Sequence, residues 1–210
     1  MIRVLIADDH PIVRQGLKQI LTDEADVCVA AEAASGYEVM RLIRKTRLDI
    51  VVLDFSMPGP SGLDLLKQSK KEKPKLPVLV LSIHPEEQYA IRAIKAGASG
   101  YLSKNSASED LIYAIRKVAA GGAFVTATTA EQMAQELQAP TAPTPHEILS
   151  DREYEIFHLI FGGKTPKEIA GALSLSPKTV STYRSRILKK MHLKNNAELM
   201  HYAFEHRLAH

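Results

Sequence analysis

Tryptophan is absent, cysteine occurs once, and Phe, Trp and Tyr together make up only 6% of the 210 residues. The single thiol, Cys28, excludes an internal disulfide, and its apolar neighbours predict a buried core position. No His/Cys spacing fits a zinc site. No apolar run approaches the length that crosses a bilayer. The N-terminus lacks a basic stretch followed by an apolar one, so the expectation is a soluble, cytoplasmic protein without a membrane partner. Internal repeats are absent too, and the net charge is only +3. That charge is unevenly placed: +2 over residues 1–125, −3 over 126–147, and +4 over the short segment 148–210. A compact basic C-terminal segment points to a polyanionic partner.

A hydrophobic content of 45% suffices for real cores. Up to residue 122, short apolar runs alternate with amphipathic helical patterns. Strands are predicted at about 2–7, 26–31, 49–54, 77–82 and 99–102, and helices at about 11–22, 35–45, 62–71, 86–96 and 107–120. Such alternation implies an α/β fold, a doubly wound parallel sheet with helices on both faces. Residues 127–138 form a short helix, and Ala139 to Pro145 holds three prolines, which predicts an extended linker. Residues 123–147 thus join domain 1–122 to a second domain, 148–210. That domain is all helical and its helix starts are well marked. Ser150-Asp151-Arg152-Glu153 and Thr165-Pro166-Lys167-Glu168 are capping boxes, Ser176-Pro177 is an N-cap followed by proline, and Asn195-Asn196-Ala197-Glu198 opens a last helix. Two of the four helices are separated only by Leu173-Ser174-Leu175, a helix-turn-helix pattern.

The strand ends carry chemistry. Asp8 and Asp9 follow the first strand, Asp54 ends the third, Ser82 ends the fourth, and Lys104 follows the fifth. In a parallel sheet these ends share one edge, where open α/β folds bind ligands. Adjacent carboxylates hold their charge best beside a cation, and Mg2+ takes oxygen ligands. Asp54 is placed to act as a nucleophile toward phosphorus, Lys104 to pair with a phosphoryl oxygen, and Ser82 to hydrogen-bond another. His10 and His84 flank the pocket, where each is a candidate general base or metal ligand, although the plainer reading is a surface loop residue. With Ala7-Asp8-Asp9-His10, Leu53-Asp54-Phe55-Ser56-Met57-Pro58-Gly59, Leu81-Ser82 and Tyr101-Leu102-Ser103-Lys104, residues 1–122 resemble the receiver domain of two-component response regulators, a flavodoxin-like fold with five parallel strands. The resemblance implies phosphorylation of Asp54 by a partner histidine kinase. It implies Mg2+ held by Asp9, Asp54 and the Ser56 main-chain carbonyl, with Asp8 helping through water. It also implies a Ser82–Tyr101 pair that moves on phosphorylation. Two positions depart from the common pattern. Asn105 follows Lys104 where proline is frequent, and bulky Ile83 follows Ser82, where it can hinder an attacking water.

On a helix from Lys178 to His192, Val180, Tyr183, Ile187 and Met191 share one side, and Lys178, Ser181, Thr182, Ser185 and Lys189 share the other, with Arg186 at its margin. Such a helix suits a major groove. Leu149 to Glu153, Gly163 to Ala170, Leu175 to Val180 and Leu188 to Met191 resemble the LuxR-type DNA-binding domain, so the whole chain is similar to NarL/FixJ-type transcriptional regulators. That likeness implies double-stranded DNA as a partner. Base contacts would come from Ser181, Thr182 and Ser185, and phosphate contacts from Lys178, Thr179, Tyr183, Arg186 and Lys189. Two of the base-reading positions often carry longer or charged side chains, and serine there shifts the balance toward phosphate and shape readout. The last helix, Ala197 to His206, would carry a homodimer contact formed on phosphorylation, although Met200 and Phe204 at i, i+4 fit a core equally well. Two other classes compete with a phosphorylation-controlled DNA-binding regulator. One is a phosphohydrolase, which needs a general acid near Asp54 where Ser56 stands. The other is a regulator controlled by a partner protein through a receiver that is never phosphorylated. The chain is thus expected to accept a phosphoryl group and to lose it slowly without being a dedicated enzyme.

Overall fold

The computed structural model describes all residues except 58, 59, 84, 85, 107, 139–143, 147, 174, 207, 209 and 210. His84 and the centre of the proline-rich linker therefore lie outside the described residues. The chain divides into two compact units, Met1–Ala139 and Pro140–His210.

In the first unit the strands are β1 (Ile2–Ala7), β2 (Val27–Ala33), β3 (Ile50–Asp54), β4 (Val78–Ser82) and β5 (Gly100–Ser103). The helices are α1 (Pro11–Thr22), α2 (Gly36–Lys45), α3 (Gly62–Glu72), α4 (Glu86–Lys95), α5 (Ser108–Ala119) and α6 (Ala127–Gln138). All strand pairs are parallel and the sheet order is β2-β1-β3-β4-β5. Strands β3 and β4 are buried at every position, as expected for central strands covered by helices on both faces. Side chains alternate faces along each strand. Val4, Ile6, Ile50, Val52, Leu79 and Leu81 pack with Leu17 and Leu21 of α1 and with Leu111, Ile115 and Val118 of α5. The opposite face holds Leu5, Val51, Leu53 and Val80, all buried.

Cys28 departs from its expected core position. It is half-buried on β2, an outer strand of the sheet. The helix at 127–138 is α6, and it groups with the first unit rather than with the linker. Ahead of it, Phe124 lies alongside β5: the Phe124 N–H donates to the Ser99 carbonyl at 3.0 Å, and the Tyr101 N–H donates to the Phe124 carbonyl at 3.0 Å.

The second unit contains α7 (Asp151–Phe161), α8 (Pro166–Ala172), α9 (Pro177–Lys190) and α10 (Asn196–Glu205). Both capping boxes form, at Ser150/Glu153 and at Thr165/Glu168, and Ser176 and Asn195 cap α9 and α10 through their side chains. Ile156, Phe157, Ile169, Val180, Ile187 and Leu199 make the core. Helix α9 stops at Lys190, with Met191 as its cap and His192 at φ 57°, two residues short of the predicted end.

Gly62, at the first position of α3, shows how tightly the site-bearing edge is packed. A β-carbon there would sit 2.6 Å from the Phe55 Cα and ring. Gly62→Ala is therefore expected to destabilise the protein by about 1–3 kcal/mol, read as a lower urea midpoint at unchanged m-value. A midpoint equal to that of the wild type would contradict this packing.

Candidate phosphoacceptor and nucleic-acid sites

The sheet order reverses direction between β1 and β3, so a crevice opens at their C-terminal ends. Register pairs Ala7 with Leu53, Asp54 with Leu81, and Ser82 with Ser103. Asp8 and Asp54 are each only 1% exposed. Lys104 Nζ bridges them, at 2.6 Å from Asp8 Oδ2 and 2.8 Å from Asp54 Oδ2. The remaining Asp54 oxygen accepts the Ser56 N–H at 3.0 Å, and the remaining Asp8 oxygen accepts the His10 N–H at 2.8 Å. These short turns fold the chain back at each strand end and aim both carboxylates into the crevice.

Burial drives the Asp54 carboxyl above its ordinary range, against the opposing pull of Lys104 and the Ser56 N–H. Burial alone would lower the Lys104 ammonium, but hydrogen bonds to Asp54 and Asp8 outweigh it and raise the group. Asp9 Oδ1 is closed to solvent and accepts no hydrogen bond from the described residues, although the His10 ring nitrogen lies 3.0 Å away. Ligating atoms of Asp8, Asp9, His10 and Asp54 all lie within 4.8 Å of one another. Three carboxylates, one with an unsatisfied buried oxygen, make a donor set that fits a hard, oxygen-seeking cation such as Mg2+.

Ser82 and Tyr101 are fully buried, and the Tyr101 ring meets Phe55 edge-on at 6.4 Å. Lys104 is tied to the same edge by its own N–H, which donates to the Ser82 carbonyl at 2.8 Å. The Lys104–Asn105 peptide is trans. Ile83 is exposed at the end of β4, and the His10 side chain is largely exposed.

In the second unit, Lys178, Ser181, Thr182, Ser185, Arg186 and Lys189 are exposed along α9, whereas Thr179 and Tyr183 are half-buried. Val180, Ile187 and Met191 face inward as the periodicity predicted. The Arg186 guanidinium lies over the Tyr183 ring at 5.7 Å. An ion pair between Lys190 and buried Glu153, at 2.6 Å, ties the end of α9 to the start of α7. Arg152 donates to the Leu173 carbonyl at 2.9 Å and braces the end of α8. Sequence reasoning missed both braces, because charged residues at helix ends also occur as solvated surface. Met200 and Phe204 are exposed rather than core, the latter at 77%. They share a face that turns outward, whereas Leu199 and Ala203, one position earlier in each case, fill the interior.

Two family models match the chain: the response regulator receiver domain over residues 4–116, and the bacterial regulatory proteins of the luxR family over residues 147–203. It is 36% identical over 209 residues to the response regulator UvrY of Escherichia coli (strain K12), covering 99% of this chain and 96% of that protein. The chain belongs to the NarL/FixJ class of two-component response regulators. The response regulator GacA of Pseudomonas aeruginosa is 35% identical over 207 residues, covering 98% of this chain and 97% of its own. Among solved structures, RcsB of Salmonella enterica serovar Typhimurium, bound to promoter rprA in the presence of the phosphomimetic BeF3−, matches with TM-score 0.66 and 26% identity. That match spans 96% of this chain and 98% of the RcsB chain. Among the described residues of this regulator, no helix is long and apolar enough to cross a membrane.

The electrostatics of the pocket give a stability prediction. A native carboxyl held above its ordinary value of 3.8 takes up a proton more readily than the unfolded chain does. Stability is therefore lost as pH rises from that value through the raised one, and the deficit persists at neutral pH. Asp54→Asn is expected to raise the Tm at pH 7 without divalent cations, by roughly 3 °C per kcal/mol relieved. Its advantage should shrink as the pH is lowered toward 4. A variant less stable than wild type at every pH would contradict the assignment.

Proposed function

We propose that this response regulator accepts a phosphoryl group on Asp54 from a partner histidine kinase, and that the modified receiver favours a homodimer whose C-terminal domains grip double-stranded DNA. The observation that carries the reading is the convergence of buried Asp8 and Asp54 on one ammonium, Lys104. An isolated carboxylate this buried would stay protonated and be a poor nucleophile; the adjacent ammonium favours the charged form.

In the transfer step an Asp54 carboxylate oxygen attacks phosphorus. The new O–P bond forms as the donor's P–N bond breaks, and the imidazole leaves with that electron pair. The product carries close to two negative charges and new acceptor oxygens. Lys104 pairs with one of these oxygens and Ser82 donates to another. Asp9 and Asp54, with the Ser56 carbonyl and with Asp8 through water, would hold Mg2+, which when bound offsets the charge that accumulates on the phosphoryl oxygens. As Ser82 is drawn toward the phosphoryl group, the buried space beside Tyr101 changes and β5 responds. Ser56, where a hydrolase of this type would need an acid, leaves the phosphoprotein without a dedicated general acid two residues from its acceptor.

In the C-terminal unit, Lys178, Thr179, Tyr183, Arg186 and Lys189 would contact DNA phosphates while Ser181, Thr182 and Ser185 meet base edges. The outward Met200–Phe204 pair on α10 supports a contact between copies.

Incubation with acetyl phosphate and Mg2+ is expected to attach one phosphoryl group to the wild type and none to Asp54→Ala, with incorporation abolished by chelation. Equal labelling of the two proteins would overturn the acceptor assignment. Ile83 is exposed and directly follows Ser82, where its bulk would shield the phosphoryl group from water. Ile83→Ala is expected to shorten the phosphoprotein half-life several-fold, and an unchanged half-life would remove that role.

A further inference from the structure

The three hydroxyls that face outward on α9 share one arrangement. Ser181 Oγ donates to the Pro177 carbonyl, Thr182 Oγ1 to the Lys178 carbonyl, and Ser185 Oγ to the Ser181 carbonyl, each at 3.0 Å. All three side chains are exposed. They stand at i, i+1 and i+4, so they occupy one patch about a turn long. A hydroxyl has a single hydrogen and two lone pairs. Here every hydrogen is committed to the helix's own backbone, a common back-bond for Ser and Thr inside helices. While these back-bonds hold, the patch presents only lone pairs toward a ligand.

Two of the neighbouring donors are directed elsewhere, and the lysines of this face, Lys178 and Lys189, stand at its two ends. Arg184 Nε donates to Asn196 Oδ1 at 2.6 Å, and the Arg186 guanidinium lies over the Tyr183 ring. No Arg, Asn or Gln stands within the patch itself. In the major groove, the donors on base edges are the adenine N6 and cytosine N4 amino groups, whereas guanine offers the acceptors N7 and O6. An acceptor facing an acceptor is repelled.

We infer that Ser181, Thr182 and Ser185 form an acceptor-only reading patch, which selects operators that place adenine or cytosine amino groups beneath it and does not read the guanine N7/O6 edge. The inference rests on the DNA-binding role proposed above and adds the chemistry of its readout. Lys178, Arg186 and Lys189 supply sequence-independent grip at the margins of the same face. The γ-methyl of Thr182 adds an apolar contact suited to a thymine methyl, which lies across the pair from an adenine amino group.

The test uses the full-length chain and a pool of random-sequence duplexes, from which bound sequences are selected. The enriched duplex is then remade with single-atom changes. Purine in place of adenine removes N6, 2-pyrimidinone in place of cytosine removes N4, and 7-deazaguanine removes N7. Amino-group removal beneath the patch is expected to weaken binding roughly two- to tenfold per site. That penalty should disappear in the matching Ser181→Ala, Thr182→Val or Ser185→Ala variant. The slope of affinity against salt should stay constant, because the phosphate contacts are untouched. Substitution by 7-deazaguanine should be silent at these positions. A 7-deazaguanine penalty relieved by the same variants, or amino-group penalties that persist undiminished in all three, would overturn the inference while leaving DNA binding intact. Absence of any duplex binding would overturn the DNA-binding role itself, and this inference with it.

Discussion

The site depends on one ammonium placed between two carboxylates that are shut away from water. Asp8 and Asp54 come from strands that are neighbours in space but 46 residues apart in sequence, and Lys104 arrives from the far side of the sheet. Without the cation, two buried like charges would repel and one would protonate. With it, the edge carries concentrated, partly neutralised charge that a divalent ion or a phosphoryl group can rearrange. Lys104 also belongs to the frame of the sheet, since its N–H donates to the Ser82 carbonyl while its side chain holds Asp54. Lys104 thereby connects the Asp54 carboxylate to the ends of β4 and β5.

Strand β5 has a second neighbour. The Phe124 segment runs along it, and the Tyr101 N–H donates to the Phe124 carbonyl. At Gly100, where a β-carbon would fall 2.8 Å from that carbonyl, only glycine allows so close an approach. Tyr101 thus joins the buried space beside Asp54, through its ring against Phe55, to the chain that leads into α6, through its backbone. Under the proposed function this is a contiguous physical route from the phosphoacceptor toward the linker. It consists of packed side chains and two backbone hydrogen bonds.

Much of this was legible in the sequence because strong local rules agreed with one another. The apolar runs could be only central strands, so Asp8, Asp54 and Ser82 had to share an edge. The capping boxes at Ser150 and Thr165 fixed helix starts to the residue. What stayed hidden depended on tertiary detail. Whether Cys28 is core turns on β2 being an outer strand, which composition does not reveal. Leu199 and Met200 are adjacent apolar residues, and only the packed bundle decides that the first turns in and the second out. The Phe124 bridge leaves no motif, since it uses backbone groups alone. The back-bonded hydroxyls of α9 are equally silent in the sequence, because serine and threonine donate outward or inward with no change in spelling.

The central claim is that covalent charge at Asp54 controls affinity for DNA through the C-terminal unit. Its most direct test is the operator affinity of the full-length chain, titrated before and after phosphorylation, in the wild type and in Asp54→Ala. The account predicts that phosphorylation tightens wild-type binding about 5- to 150-fold and leaves Asp54→Ala unchanged. Equal affinity of the wild type in its modified and unmodified forms would contradict it.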